Sequence, residues 1–406
     1  MAVVSGGGER KRVLHVFTVA DSIGFLRGQP AFMGERGWDL AVACSGTPPA
    51  WATGAFAGHF EVQIARSVSP LADLRAIRQL MGVIRSYRPT VVNAHTPKGG
   101  LIGVLAGKLC GVPVVYHMHG SVLETATGVV RLLLWLAEWV TCHFADRVIC
   151  VSHSLRDSAI AMGVVGQEKA SVLVGGSING IDSAVRFHPG LQGEARAEVR
   201  AAWGVDDATL VVGFVGRLSN DKGIRELVAA AGLLAERAPS VRFVLVGDLD
   251  ERDPVGASLL ADLAASANIV RVAATPHIER IYAGFDVFVL PTYREGLPTV
   301  LLEAASMSLP AVATRVTGCV DVVVDGETGL LVAARDAVAL AAALQRYVDD
   351  AALRRAHGEA ARAMVLERFA QPRVWSALAA LYEEVWGLHP SRENSAGAAN
   401  NHDPRH

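Results

Sequence analysis

The residues best suited to chemistry fall in short clusters at the ends of apolar runs. Gly216-Arg217-Leu218-Ser219-Asn220-Asp221-Lys222-Gly223 follows VVGFV and opens a helical pattern. A helix start presents unpaired N–H groups, and Arg217 and Lys222 add two positive charges, so the loop suits an anion such as a diphosphate. It is neither a GxGxxG nor a GxxxxGK[ST] loop. Some seventy residues later, PTYREGLPTVLLEAASMSLPAVAT carries Glu295 and Glu303 eight apart around a Gly-Leu-Pro turn. Pro298 suits a first helical turn, where its missing N–H would have no partner. The spacing is therefore a loop acid followed by a helix acid, not a same-face repeat. A carboxylate can take both hydroxyls of a diol, and the amides of Gly296, Leu297 and Thr299 would face a polyhydroxy or phosphate ligand. An exposed turn acid and a helix-start acid are the plainer explanation of the same pair.

Two further turns carry candidates. VVYHMHG places His117 and His119 at strand spacing, on one face, where either imidazole could donate to a hydroxyl or be an ordinary core histidine. His95-Thr96-Pro97-Lys98-Gly99-Gly100 joins a strand to a helix with a cation and a glycine pair. It fits an acceptor phosphate held by Lys98 and the helix start, or a simple capping turn.

The elements that must position these clusters alternate throughout. Short β-branched runs alternate with longer Ala/Leu-rich stretches to about residue 370, the pattern of βα units around parallel sheets. A first set places strands near 12–18, 39–43, 60–64, 90–94, 113–117, 147–151 and 171–174, and helices near 22–36, 70–87, 98–110, 122–145 and 153–163. After Phe187-His188-Pro189-Gly190 the pattern restarts, with strands near 209–215, 241–246, 269–273, 286–290 and 310–314. Helices are expected near 222–237, 256–266, 276–284, 298–308 and 335–348. The expected organisation is a domain over 1–187, a second over 188–370, a helix over 371–390 that crosses back to the first, and a mobile tail over 391–406. The tail's His402 and His406 read as solvated. Ligands of open α/β sheets bind at the carboxyl ends of the strands, which is where all the clusters above lie.

Composition sets the bounds. With 406 residues, 51% hydrophobic and 19% charged, the chain is neither disordered nor fibrous. Lys and Arg outnumber Asp and Glu by 16 to 12 up to residue 185 and fall short by 22 to 28 beyond it, too mild a bias for a nucleic-acid binder. Five cysteines without CxxC spacing read as buried hydrophobes in a reducing compartment. The start, MAVVSGGGERKRVLHVF, lacks the apolar stretch of a secretory signal, and RLLLWLAEWVTCHFADRVICV is broken by Glu138, His143, Asp146 and Arg147. A cytoplasmic protein is expected. Arg75, Arg78 and Arg85 share one helix face, with Arg66 and Arg88 at its ends and Trp135 and Trp139 on a later helix, so the first half has the makings of a surface for anionic lipid. A solvated face is the commoner outcome. Asp248-Leu249-Asp250 matches a DxD string, but its flanks fit a strand end and a polar loop, and no metal is expected.

GRLSNDKGI, VRFVLVGD and DVFVLPTYREGLPTVLLEAASMSLPAVATRVTGCVDVVVDGETGLLV together resemble the donor-binding half of the family 4 retaining nucleotide-sugar glycosyltransferases, which have the GT-B fold. AHTPKGGLIGVLAGKLCGVPVVYHMHG and FADRVICVSHS are similar to the acceptor half of bacterial members that extend polysaccharides or lipid-linked glycans. The resemblance implies two doubly wound Rossmann-like domains facing a cleft. It implies that Gly216, Arg217 and Lys222 hold the donor's pyrophosphate, that Glu303 takes the ribose and Glu295 the transferred sugar, and that His119, rather than His117, lies near the anomeric centre. His95 and Lys98 would meet the acceptor, a saccharide or lipid-linked glycan. The donor would be a nucleoside-diphosphate sugar, UDP being favoured, with no other cofactor. Thr18-Val19-Ala20-Asp21-Ser22-Ile23-Gly24-Phe25 departs from the family's glycine-rich first loop, and Thr275-Pro276-His277 from its usual Gly and Asp. A nucleotide-sugar epimerase of the same fold, or a non-catalytic sugar-nucleotide binder, remains an alternative.

Overall fold

Runs such as KRVLHVFTV and VRFVLV are apolar on both faces, as strands covered by helices on both sides must be. In the computed structural model, which describes residues 10–67, 69–251 and 253–388, they form two parallel sheets. The expected start and tail, with His402 and His406, lie outside the described residues.

Contacts divide the chain into two units. Among the described residues, one takes those up to Val151, Ala159–Leu173 and those from Val374 to Leu388; the other takes Ser152–Ser158 and Val174–Arg373. The sequence pattern suggests a boundary at 187/188, whereas Val174 to Phe187 lie with the second unit.

The first unit has strands β1 (Lys11–Val19), β2 (Trp38–Ser45), β3 (Gly58–Glu61), β4 (Val91–His95), β5 (Val114–Met118), β6 (Arg147–Cys150) and β7 (Ala170–Ser171), in the order β3-β2-β1-β4-β5-β6-β7. The helices in sequence order to this point are α1 (Gln29–Gly34), α2 (Pro70–Tyr87), α3 (Pro97–Leu109), α4 (Gly128–Phe144) and α5 (His153–Ala161). The helix expected over 22–36 is broken, because Gly28 at φ +86 separates a 3-10 turn from α1. Helix α3 lies hard on the sheet. A Cβ at Gly100 would meet Tyr116 at 2.4 Å and one at Gly103 would meet Ala94 at 2.7 Å, so close packing accounts for these glycines.

The second unit opens with α6 (Leu191–Ala202), a helix that the charged stretch LQGEARAEVRAA conceals. Its Arg200 is 1% exposed and is held by Asp286 and by the carbonyls of Asp206 and Gly284. The sheet comprises β8 (Leu210–Val215), β9 (Val241–Val246), β10 (Ile269–Val272), β11 (Val287–Leu290), β12 (Ala311–Thr314) and β13 (Gly329–Val332), ordered β10-β9-β8-β11-β12-β13. Strand β13 also goes beyond the sequence pattern. Around it lie α7 (Ile224–Arg237), α8 (Ala257–Ala265), α9 (Ile278–Tyr282), α10 (Thr299–Ser306), α11 (Cys319–Val322), α12 (Ala337–Asp349) and α13 (Ala351–Arg368). In both sheets the order reverses beside the first strand, the switch point of doubly wound folds. The last helix, α14 (Gln371–Gly387), packs Leu378, Leu381, Tyr382 and Val385 against Val13, Val91, Val115 and Ile149 of the first unit.

Candidate active site

In the second unit the basic loop and the glutamate loop are joined. Lys222 Nζ lies 2.5 Å from Glu295 Oε1, with the side chains 15% and 14% exposed. Two hydrogen bonds hold the loops in register: Tyr293 N donates to Asp221 O at 2.8 Å, and the Thr292 hydroxyl donates to the same carbonyl at 3.1 Å. Gly223, at φ +69, lies so close to β11 that a Cβ would fall 2.0 Å from Pro291 O. Only glycine allows that approach, so this residue sets the distance between the two loops. Arg217, half exposed, pairs with buried Asp250. Both cations are thus matched by carboxylates, and an anion would be attracted by aimed donors and the start of α7 rather than by net charge. Asp250 of the DxD string is engaged by Arg217, and Asp248 Oδ1 accepts from Ala274 N. Among the described residues no cluster of His, Cys, Asp and Glu is suited to a metal ion.

Pro298 is the N-cap of α10 rather than a first-turn residue, and the helix ends at Ser306. Gly296, Leu297 and Thr299 follow Glu295 into this helix start. The carbonyl of Gly296 accepts from Ser152 Oγ at 2.7 Å, and Asp321 accepts from the amides of His153 and Ser154. Glu303, one turn into α10, accepts from Tyr282 Oη at 2.8 Å. Burial pushes its carboxyl up to about 7, against the opposing effects of the Tyr282 hydrogen bond and the Arg186 charge. Sequence reasoning missed Tyr282 and Ser152. The tyrosine leaves one signal, a hydroxyl beside Ile281 and Phe285 that must find a partner once buried.

The first unit's candidates are of another kind. His119 follows β5 and His95 ends β4. His95 Nδ1 is 3.0 Å from His119 Nε2, and His95 Nε2 is 2.9 Å from His15 Nδ1. Both nitrogens of His95 are therefore used inside the unit. His117 is buried with neither nitrogen partnered, and Phe25 sets its edge on His119 at 5.5 Å. Burial lowers His15 and His119 to about 3 and holds His95 and His117 well below the usual histidine range. Lys98 is paired with Asp73 at 2.6 Å, and the N–H of Gly99 donates to Thr18 Oγ1. The glycine pair, the lysine and His95 thus each have structural partners in this unit.

Two Rossmann-like sheets with this loop geometry define the class as a GT-B glycosyltransferase fold. Sucrose-phosphate synthase from Thermosynechococcus elongatus is similar with a TM-score of 0.79 at 20% identity, over 93% of this chain and 100% of that one. HepE of Anabaena, solved with UDP, gives 0.75 at 20% identity over 92% and 100%. The sequence sets the family. Residues 209–350 match Glycosyl transferases group 1, and 31–175 match the Glycosyl transferase 4-like domain. The chain is 29% identical to the capsular polysaccharide biosynthesis glycosyltransferase CapM of Staphylococcus aureus, over 92% of this chain and 97% of that protein. It is 32% identical to the alpha-maltose-1-phosphate synthase of Mycolicibacterium smegmatis, over 86% and 91%. The UDP-Gal:alpha-D-GlcNAc-diphosphoundecaprenol alpha-1,3-galactosyltransferase of Escherichia coli is 28% identical over 72% and 75%. The chain belongs to the group 1 glycosyltransferases.

Proposed function

We propose that the protein transfers a hexose-type sugar from a nucleoside diphosphate, UDP, to a hydroxyl of a growing glycan or lipid-linked saccharide, with retention of anomeric configuration. The observation that carries this reading is the Lys222 to Glu295 contact, which joins the candidate phosphate loop to the candidate sugar loop. A UDP-bound structural neighbour and a relative named for a UDP-sugar and a lipid diphosphate support the donor and the acceptor class.

In this reading Lys222 gives one N–H to Glu295 and keeps two for the pyrophosphate, because an ammonium has three donors. Arg217 and the start of α7 complete the charge stabilisation as the diphosphate leaves. Glu295 orients sugar hydroxyls, Glu303 takes the ribose, and His119 donates to the sugar or the leaving phosphate. The sequence offers no covalent nucleophile, so the acceptor attacks from the face the diphosphate leaves, with the leaving phosphate taking its proton.

The reading places the protein in the cytoplasm, at the inner face of the membrane. Arg75, Arg78, Arg85 and Arg88 are exposed on α2 and its end, and Val129, Val130, Leu132, Leu133 and Leu136 are exposed on α4. Such a basic and apolar pairing is what a peripheral contact with anionic lipid requires. Among the described residues no helix is long and apolar enough to cross a membrane.

Incubation with a UDP-sugar panel, with and without a lipid-diphosphate saccharide, separates the readings. UDP release that depends on the acceptor, with a product of retained configuration, is expected. Isomerisation of the donor alone would indicate an epimerase, and binding without turnover a non-catalytic protein. Lys222→Ala should lower turnover at least tenfold, a loss of about 1.4 kcal/mol, with folding intact. Full activity in that variant would remove the phosphate role.

A further inference from the structure

Four histidines from three adjacent strands or their ends meet on one face of the first unit's sheet. Towards the amino ends of the strands that face is apolar, with Val13, Val91 and Val115 under α14. Towards the carboxyl ends it becomes His15, His95, His117 and His119. The ring of His15 stacks on that of His95 at 5.2 Å, and Phe17 stacks on His95 at 4.2 Å. His15 is 0% and His95 1% exposed. Buried polar groups in such a place cost free energy unless their hydrogen bonds are made. His117 stands apart with neither nitrogen partnered, but the chain His15 Nδ1 to His95 Nε2 and His95 Nδ1 to His119 Nε2 makes them for its own three rings, with one exception. His15 Nε2 has no protein partner.

That exception gives the chain a direction. A neutral imidazole carries one N–H and one lone pair. A proton on His15 Nε2 would be an orphaned buried donor, which is rarer and costlier than an unused acceptor. The proton of His15 is therefore on Nδ1 and is donated to His95 Nε2. His95 then carries its own proton on Nδ1 and donates it to His119 Nε2. The proton of His119 is left on Nδ1.

We propose that His15 and His95 are positioning residues that hold His119 in the Nδ1–H tautomer, so that it offers an N–H, not a lone pair, to an oxygen of the sugar nucleotide. This rests on the reading that His119 meets the donor. The strongly lowered basicity of all three rings agrees with a chain that stays neutral.

The test is the tautomer itself. With 15N-labelled histidine, long-range 1H–15N spectra show which ring nitrogen of His119 is protonated, the signal being assigned by its loss in His119→Gln. The wild type should show the Nδ1–H form. His95→Phe keeps the ring stack and donates nothing. It should give His119 as a mixture of tautomers and lower UDP release from UDP-glucose or UDP-galactose by about tenfold at most, as for one lost hydrogen bond. His95→Gln, whose amide can accept from His15 and donate to His119, should restore both readouts in part. Should His95→Phe fail to fold, His15→Phe removes the head of the chain and should likewise loosen the tautomer. Nε2–H in the wild type, or an unchanged Nδ1–H form in these variants, overturns the proposal. If the tautomers behave as expected while His119→Gln transfers sugar at the wild-type rate, the donor role of His119 falls, and the functional half of the proposal with it.

Discussion

Glu138 of the first unit and Glu303 of the second are nearly twins. Each lies on a helix that packs against a sheet, each accepts from a tyrosine hydroxyl at 2.8 Å, and burial pushes each up to about 7. Their surroundings differ. Glu138 meets Tyr116 in an interior that also holds Cys142 and Cys150, and Tyr116 in turn fills the space that the missing Cβ of Gly100 leaves. Glu303 stands one turn into the helix that begins at the Glu295 loop, with Arg186 and Glu279 near enough to act on its charge. A perturbed acid marks a functional site only when neighbouring groups share a ligand with it; otherwise it marks a helix tied to a sheet.

The largest expected effect is one the twins share, and losing it would break the likeness. Each carboxyl is raised above its unfolded value, so the folded state holds its proton longer. That stability is fully present below about pH 4.5 and is lost as pH rises through about 7. The difference in unfolding free energy between the wild type and Glu138→Gln should therefore fall across this window, by up to about 3 kcal/mol, and level off above it. Glu303→Gln should behave likewise. Denaturant titrations from pH 4 to 9 at constant salt measure this, and a flat difference for either variant would mean that its acid is not held neutral by burial.

Activity should then separate them. Glu303→Gln should weaken UDP binding about tenfold, near 1.4 kcal/mol, because a neutral amide accepts less strongly from ribose hydroxyls than a carboxylate does. Glu138→Gln should bind UDP as the wild type does. Calorimetry on both variants decides, and equal affinities for all three proteins would remove the ribose role.

The sequence made some of these distinctions legible and hid others. Glu303 stood out because Pro298 and Glu295 fixed its place at a helix start, and the basic loop before it gave the pair a chemical reason. Glu138 was visible only as a break in an apolar window, since nothing local to RLLLWLAEWV announces Tyr116 on a strand that packs against it. The alternation of βα units carried most of the fold, but α6 was hidden because Arg200 is buried beside Ala195 and Val199, a charge on the face where periodicity expects an aliphatic residue. Strand β13, GLLV, is no shorter than β11 or β12, but it opens on Gly329 and carries one β-branched residue, so local pattern does not separate it from a loop. The histidine cluster was half legible. Strand spacing put His117 and His119 on one face, whereas His15 and His95 join them only through the sheet order β1-β4-β5, which a local pattern does not contain.

The tyrosines give the smallest and sharpest contrast. Tyr282→Phe removes the hydroxyl that opposes burial at Glu303, so the carboxyl should climb further above about 7. At pH 7 less of it would be ionised, and UDP should bind about threefold more weakly, with recovery towards pH 8.5 as the carboxylate returns. Tyr116→Phe makes the same change at Glu138. It should cost about 1 kcal/mol of stability, since the carboxyl loses its donor while the ring still fills its place beside Gly100. UDP affinity in this variant should match the wild type at both pH values. The pH at which affinity is recovered is the telling quantity: a loss in Tyr282→Phe that did not vary with pH would mean that the tyrosine shapes the pocket wall rather than the charge on Glu303.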